Sequence, residues 1–449
     1  MTIRRRIDVR DRRPPAPEPS PSSLFRDDGF RKLFSAAAAS TAGTQVSFVA
    51  VPLVAVIALD ATPGQVGLLG VLKTVAFLLV GLPAGVWLDR MRRRGVMIGT
   101  DLARAVLLGS IPLAWWLDLL TLTQLYVVVL LTGVLTVFFD VAALSYLPSL
   151  VGRDRLVDAN SKLVSLEAAA GVAGPSLAGF LVQVTAAPVA LAIDAATFLW
   201  SALVLRRIRR PEPPPVPAAG RPLWRGVGAG IRFVLGHPLL RPIAVTGAAT
   251  NLFLQIATVT LPLLVHRELG FSAGMLGLFF SCGGVGVLLG ALTARRFGER
   301  LGVGPTLLVS GLLSTPAGFL VALVDRGGWL WVAMLGWLAL TYRIGLDNVL
   351  LVSIRQRVTP DPMLNRMNAT MRFLFTGVLA IGAAVAGVLG EVAGVRVGMW
   401  VAALGLAFAW LPLVVSPVRA LRAADRIRPA GPRPGTGQRR AGRSRLSGN

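Results

Sequence analysis

The chain is poor in the side chains that usually do chemistry. Its one cysteine, Cys282, allows neither a disulfide within the chain nor a zinc cluster. Its two histidines, His237 and His266, read as interfacial residues near the ends of apolar runs. No phosphate-binding loop, nucleotide fold or metal spacing occurs, so neither ATP-driven work nor a resident metal or cofactor is encoded. A membrane-embedded enzyme would need histidine, cysteine or carboxylates clustered at one interface, and here the acids are scattered. Acidic residues number 22 against 46 basic ones, almost all arginine, for a net charge of +24. Such a charge would suit a nucleic acid, but the arginines lie in the tails and in alternate connectors. What is abundant is apolar. With 54% hydrophobic residues and a mean hydropathy of +0.66, the chain reads as a polytopic membrane protein.

A bilayer crossing needs about 20 apolar residues. Twelve runs meet that need, at 33–59, 65–88, 96–117, 123–147, 160–184, 187–206, 239–265, 273–294, 304–324, 328–351, 367–390 and 394–415. The even connectors hold the arginines: Arg90 to Arg94, then Arg153 and Arg155, Arg206 to Arg210, Arg295 to Arg300, and Arg355 to Arg366. The odd ones hold only Arg267, Arg326 and Arg396, each near an acid (Glu268, Asp325, Glu391). Arginine concentrates on the cytoplasmic side of membrane proteins, so both termini are expected inside. Residues 1–32 and 417–449 read as disordered basic cytoplasmic tails, 33–208 and 239–416 as two six-helix bundles. The joining stretch, 209–238, is a proline-rich linker. It continues into an amphipathic helix on the inner membrane surface, with Trp224, Val227, Ile231 and Val234 on one face.

The two bundles carry matching positions. Gly64 and Gly67 open the second run as Gly274 and Gly277 open the eighth. Gly174 and Gly179 of the fifth match Gly382 and Gly387 of the eleventh, and Phe139-Asp140 resembles Leu346-Asp347. Such repeats are typical of secondary transporters, whose substrate site lies between the halves near the midplane.

The stretch Gly85-Val86-Trp87-Leu88-Asp89-Arg90-Met91-Arg92-Arg93-Arg94 resembles the loop between helices 2 and 3 of the major facilitator superfamily, with Arg92 where a glycine is usual. Three further segments share the resemblance: 146–161, 193–199 and 355–373. Together they look like the subgroup of enterobactin exporters and macrolide efflux proteins. The resemblance implies an all-α integral membrane fold of twelve transmembrane helices in two pseudo-symmetric six-helix bundles. It implies a monomeric secondary transporter, not an enzyme, in a bacterial inner membrane. The expected activity is proton-coupled efflux, by antiport, of a small amphipathic molecule such as a drug, macrolide or siderophore, as in multidrug resistance. Proton-coupled uptake or uniport of a small metabolite is the alternative. Gly85, Asp89, Arg90, Arg93 and Arg94 would form a conformational latch. Gly171, Gly174, Pro175 and Gly179 resemble the fifth-helix motif of drug–proton antiporters, with Ala178 replacing one of its glycines.

Intramembrane charges are costly and should face water, the bundle interior or one another. Asp101 with Arg104 and Arg343 with Asp347 have the spacing of ion pairs on one helix face. Asp140 and Glu167 are the leading proton-carrier candidates, since a carboxylate moved between wet and dry surroundings loads and releases a proton; Lys73 and Asp194 are further coupling candidates. Arg372 adds a charge in the eleventh run. Gln45, Asn251 and Gln255, polar at similar depth in the first and seventh runs, are candidate substrate contacts. The partners expected are thus a small-molecule substrate, protons and the lipid bilayer, with no nucleic acid.

Overall fold

A computed structural model of the protein describes residues 21–88, 91–210, 212 and 223–421. Among the described residues, twelve helices are long and apolar enough to cross a bilayer: α1 (Asp28–Ala58), α2 (Pro63–Leu88), α3 (Arg93–Trp116), α4 (Leu122–Val151), α5 (Leu156–Val184), α6 (Ala187–Arg206), α7 (Leu240–Glu268), α8 (Ala273–Arg300), α9 (Val303–Ala322), α10 (Gly328–Val358), α11 (Asp361–Val392) and α12 (Val395–Val414). A shorter helix, Leu223–Gly236, lies in the linker and packs on α11, where Gly230 meets Thr370.

Local chemistry sets many helix ends. The side chains of Thr121 and Ser272 accept from the backbone N–H of Gln124 and Met275, capping α4 and α8. Glycine at positive φ makes the sharp turns before α9 and α12, at Gly302 (φ 92°) and Gly394 (φ 90°). Several helices outrun their apolar stretches. α10 continues to Val358, so Arg355, counted above among connector residues, belongs to a helix. α1 and α7 each end in a π-turn, Val54–Ala58 and Leu263–Glu268, that begins two residues after the internal Pro52 and directly after Pro262.

The folded part extends beyond the bundle limits read from composition. Residues 21–32 form the 3-10 turn Pro21–Arg26 and the first turn of α1. Asp27 caps that helix by accepting from the Gly29 N–H (2.9 Å), and Leu24 and Phe30 are fully buried. An aromatic cluster of Phe25, Phe30 and Phe34 supplies the apolar surface that a disordered tail would lack. At the other end, Pro417–Ala420 turns under α9, and the Gly304 N–H donates to the Leu421 carbonyl (2.9 Å).

α1–α6 and α7–α12 form the two six-helix halves, joined chiefly by two crossings, α2 on α11 and α5 on α8. Each crossing is glycine on glycine. A Cβ on Gly67 would lie 2.6 Å from the Gly387 Cα, and one on Gly179 would lie 2.9 Å from the Gly277 Cα. The repeated positions therefore pack in exchanged pairs: an α2 glycine on α11, its α8 counterpart on α5. Small residues permit this backbone approach, and in lipid close packing is a main source of helix association. Both crossings lie toward the end of the molecule where α2 and α8 begin, here called the Pro63 end.

Gly277→Leu is expected to force the α5–α8 crossing apart, because its side chain meets backbone on the facing helix, the Pro175 carbonyl among it. Overpacking costs about 1–3 kcal/mol. A lower melting temperature in detergent and faster maleimide labelling of a cysteine at Ser272, in a Cys282→Ser background, are the readouts. Gly171→Ala, where a Cβ meets open space, should match wild type in both. Equal behaviour of the two variants would remove the crossing from this role.

Candidate transport site between the halves

The site begins at the closed Pro63 end. The Arg267 guanidinium, on α7, bonds the Asp60 carboxylate (2.7 Å) and the Ala61 carbonyl (2.9 Å) in the α1–α2 turn. Glu391 of α11 accepts from the Gly64 N–H (2.9 Å), placing a carboxylate on the positive end of α2. The Ser176 N–H of α5 donates to Ser281 Oγ of α8 (2.9 Å). These bonds between the halves lie on this side of the midplane. Nearby, Arg396 bonds Asp325 (3.3 Å). The Arg326 N–H, aided by Arg396, holds the Asp325 carboxyl below the usual carboxylate range.

Deeper in, Phe48 of α1 meets Phe280 of α8 edge to face, with ring centres 5.0 Å apart. The Lys73 ammonium lies over the Phe48 ring at 5.6 Å, so this charge borders the seam between the halves. Gln45 and Gln255 hold equivalent places. Gln45 packs on Gly174 of α5, and Gln255 packs on Gly382 of α11 while its amide also reaches the Gly70 position of α2. Asn251 spends its amide N–H on the Gly247 carbonyl of its own helix (2.8 Å). The fifth-helix motif lies against this seam: Gly174 under Gln45, the Gly171 carbonyl against Gly284, and Pro175 and Gly179 against Gly277.

Toward the other end, the structure brings four intramembrane charges together. Asp140 of α4 is exposed and within electrostatic reach of Glu167 of α5, Arg104 of α3 and Arg372 of α11. Arg372 belongs to the second half, and its guanidinium lies 4.7 Å from the centre of the Phe77 ring of α2. Behind Asp140 is a closed network. Arg104 is 2% exposed, bonds Asp101 and Thr136, and is held between the rings of Phe139 (4.6 Å) and Phe198 (4.2 Å). Asp194 is fully buried and accepts from Ser47 of α1 and Thr197 of its own helix. In the second half, Arg343 bonds Asp347 (2.8 Å) and the Leu406 carbonyl (3.3 Å).

Of the proposed latch, Asp89 and Arg90 lie outside the described residues, and Gly85 is within α2. Arg93 donates to the Ser145 carbonyl (3.1 Å) and Arg94 to that of Leu205 (3.0 Å), both within the first half. Sequence reasoning passed over Glu212. Its carboxylate accepts from the N–H groups of Arg93 (2.7 Å) and Arg94 (3.3 Å), so a linker residue caps α3. The signal available was a lone acid two residues after an arginine run.

Two six-helix halves around a polar, charge-lined seam define a membrane transporter rather than an enzyme. A family model described as "Transmembrane secretion effector" matches residues 19–434. The chain belongs to that family, within the major facilitator superfamily. It is 28% identical over 414 residues to the enterobactin exporter EntS of Salmonella choleraesuis, covering 91% of this chain and 98% of that protein. It is 29% identical over 372 residues to the EntS of Citrobacter koseri, covering 82% and 87%. Among solved structures, the nucleoside transporter NupG superposes with a TM-score of 0.70 at 14% identity, covering 86% of this chain and 99% of that one. A bacterial homologue of the iron transporter ferroportin, in an inward-facing state, gives 0.70 at 17% identity, covering 87% and 98%. At these identities the structures attest the fold alone.

Removing one member of a buried ion pair costs about 3–5 kcal/mol, because the other charge is left alone. Arg104→Gln should therefore destabilise the purified protein strongly. The double variant Arg104→Gln/Asp101→Asn should recover part of the loss, as read by thermal denaturation in detergent. Strict additivity of the two single changes would show that they are not coupled.

Proposed function

We propose that the protein exports a small amphipathic molecule by alternating access, driven by proton antiport, and that the structure is its inward-facing state. The observation that carries the reading is the asymmetry of the seam. The paired glycine crossings and the Arg267 and Glu391 contacts close the Pro63 end, whereas toward the arginine-rich end the halves meet through the Arg372 guanidinium on the Phe77 ring rather than through paired glycines. The arginine bias supports placing that open end, and both termini, in the cytoplasm. Substrate would then enter from the cytoplasm, as export requires. The relatives' name makes a siderophore the first substrate to try, with macrolides and other drugs next.

Coupling falls to the acids in the seam. Asp140 and Glu167 are both exposed in this structure, and Asp140 lies within electrostatic reach of a cation, Arg372, carried by the opposite half. A rocking of the halves changes both the water around these carboxylates and their distance from Arg372, which is what shifts a proton affinity. Lys73 sits at the seam and is positioned to feel the same change. Asp194 is enclosed by α1 and α6 and answers to the motion of α1 through Ser47. In the opposite state, closure of the arginine-rich end would fall to the loop holding Asp89, Arg90, Arg93 and Arg94, after Gly85.

The test uses proteoliposomes with a pH-sensitive dye inside and an imposed proton gradient. Enterobactin, a macrolide and a panel of amphipathic drugs are added in turn. Wild type should show substrate-dependent proton flux; Asp140→Asn and Glu167→Gln should lose at least about tenfold of it while keeping the fold. Substrate movement without proton flux would leave uniport and dismiss the antiport reading. Accumulation in the same direction as the protons would establish uptake instead.

A further inference from the structure

A cavity of about 180 Å³ lies inside the second half, between α7, α10 and α11. An engineered apolar cavity of about 150 Å³ admits benzene, so this one has room for a substituted ring. Its wall differs from that of a packing defect. Thr246, Thr250 and Asn251 face it from α7, Asp347 and Arg355 from α10, and Phe375 from α11. Ten buried side-chain polar atoms lack a hydrogen-bond partner among the described residues, and four of them belong to this wall: Thr246 Oγ1, Thr250 Oγ1, Asp347 Oδ1 and Arg355 Nε. Thr246 is 1% exposed, and Thr250 and Asp347 are each 7% exposed. Unpaired polar groups buried to this degree are costly, and a concentration of them calls for a ligand.

The two threonines sharpen the point. A helical threonine usually returns its hydroxyl to the carbonyl four residues back, as Thr258 does on this same helix (2.8 Å to Leu254). Thr246 and Thr250, four apart and therefore on one face, make no such bond. The charge is also unbalanced. Arg343 bonds Asp347 through Oδ2, which cancels that pair and leaves Oδ1 open as an acceptor. Arg355 has no ion-pair partner among the described residues, and its guanidinium lies 5.7 Å from the centre of the Phe375 ring. The cavity thus offers one uncompensated positive charge, two free hydroxyls, a single carboxylate acceptor and an aromatic wall.

We propose that this cavity binds the anionic end of an aryl substrate: a ring bearing a carboxylate or an ionised hydroxyl, with a second hydroxyl beside it. The anion takes the Arg355 guanidinium and the threonine hydroxyls, the neighbouring hydroxyl donates to Asp347 Oδ1, and the ring lies on Phe375. The inference rests on reading α7 and α10 as walls of the substrate path. It adds to that reading a preference for anions.

The purified full-length protein, in detergent at fixed ionic strength, is titrated calorimetrically with 2-hydroxybenzoate, with neutral 2-hydroxybenzamide and with chloride. The acid should bind at least about tenfold more tightly than the amide. Arg355→Gln should lose about tenfold to a hundredfold in affinity for the acid and little for the amide. Arg355→Lys should keep part of the affinity, and the near-isosteric Thr250→Val should lose severalfold. Melting curves without ligand verify that each variant is folded. Equal binding of acid and amide, unchanged affinity in folded Arg355→Gln, or full displacement by dilute chloride would each overturn the assignment. Intact, Arg355-dependent binding upholds it even if liposome assays show no export, in which case the transport reading alone fails.

Discussion

The architecture depends on two places where helices meet with no side chain between them. Gly67 on Gly387 and Gly179 on Gly277 bring α2 to α11 and α5 to α8 at backbone distance. In hydrocarbon there is little hydrophobic gain from pressing two helices together, so close contact itself supplies the attraction. These crossings also set where everything else sits. They hold Gln45 and Gln255 at the seam on Gly174 and Gly382, bring Gly64 within reach of Glu391, and let Phe48 touch Phe280. Contacts built from glycine and a few hydrogen bonds can part and re-form with little trapped side-chain surface, which suits an interface that has to open in the proposed cycle.

Much of this architecture was legible in the sequence. Apolar runs of bilayer length fixed the helices, the arginine bias separated the two ends, and the glycine repeats marked the halves as related. The pairing of the glycines was not legible. A repeat shows that Gly67 and Gly277 are equivalent; it does not show that each packs on the other half's copy of a fifth-helix glycine. Composition misjudged residues 21–32, where Leu24 and Phe30 are fully buried. Pairs three or four apart on one helix, such as Arg343 and Asp347, can be read from spacing alone. The meeting of Asp140 with Arg372, the cap that Glu212 places on α3 and the convergence of Thr250 with Arg355 join distant segments, and only the fold reveals them.

The intramembrane arginines follow one rule with two solutions. Asp140 and Asp347 occupy matching positions in the repeat. In the second half the cation comes from one turn earlier on the same helix, Arg343. In the first half the position one turn before Asp140 is Thr136, and the cation arrives from α3 as Arg104, which bonds that threonine (3.3 Å). Both halves thus set a guanidinium at this level while sharing neither the residue nor the helix that provides it. Aromatic faces complete the job for Arg104, since Phe139 and Phe198 cover a planar cation that accepts stacking better than an ammonium would.

This distribution separates charges that stiffen from charges that can respond. Arg104 with Asp101, and Arg343 with Asp347, each pair within one half, and breaking either pair leaves an unmatched buried charge. They favour each half moving as a unit. Asp140, Glu167, Lys73 and Arg372 border the seam instead, and their surroundings are shared between the halves. A rigid-body rocking leaves the first group untouched and alters water access and spacing for the second. In the proposed cycle, coupling between an ion and the motion would act chiefly through the seam group, with Arg372 the member best placed to transmit it, because it carries a second-half charge to a first-half carboxylate and to the ring of Phe77.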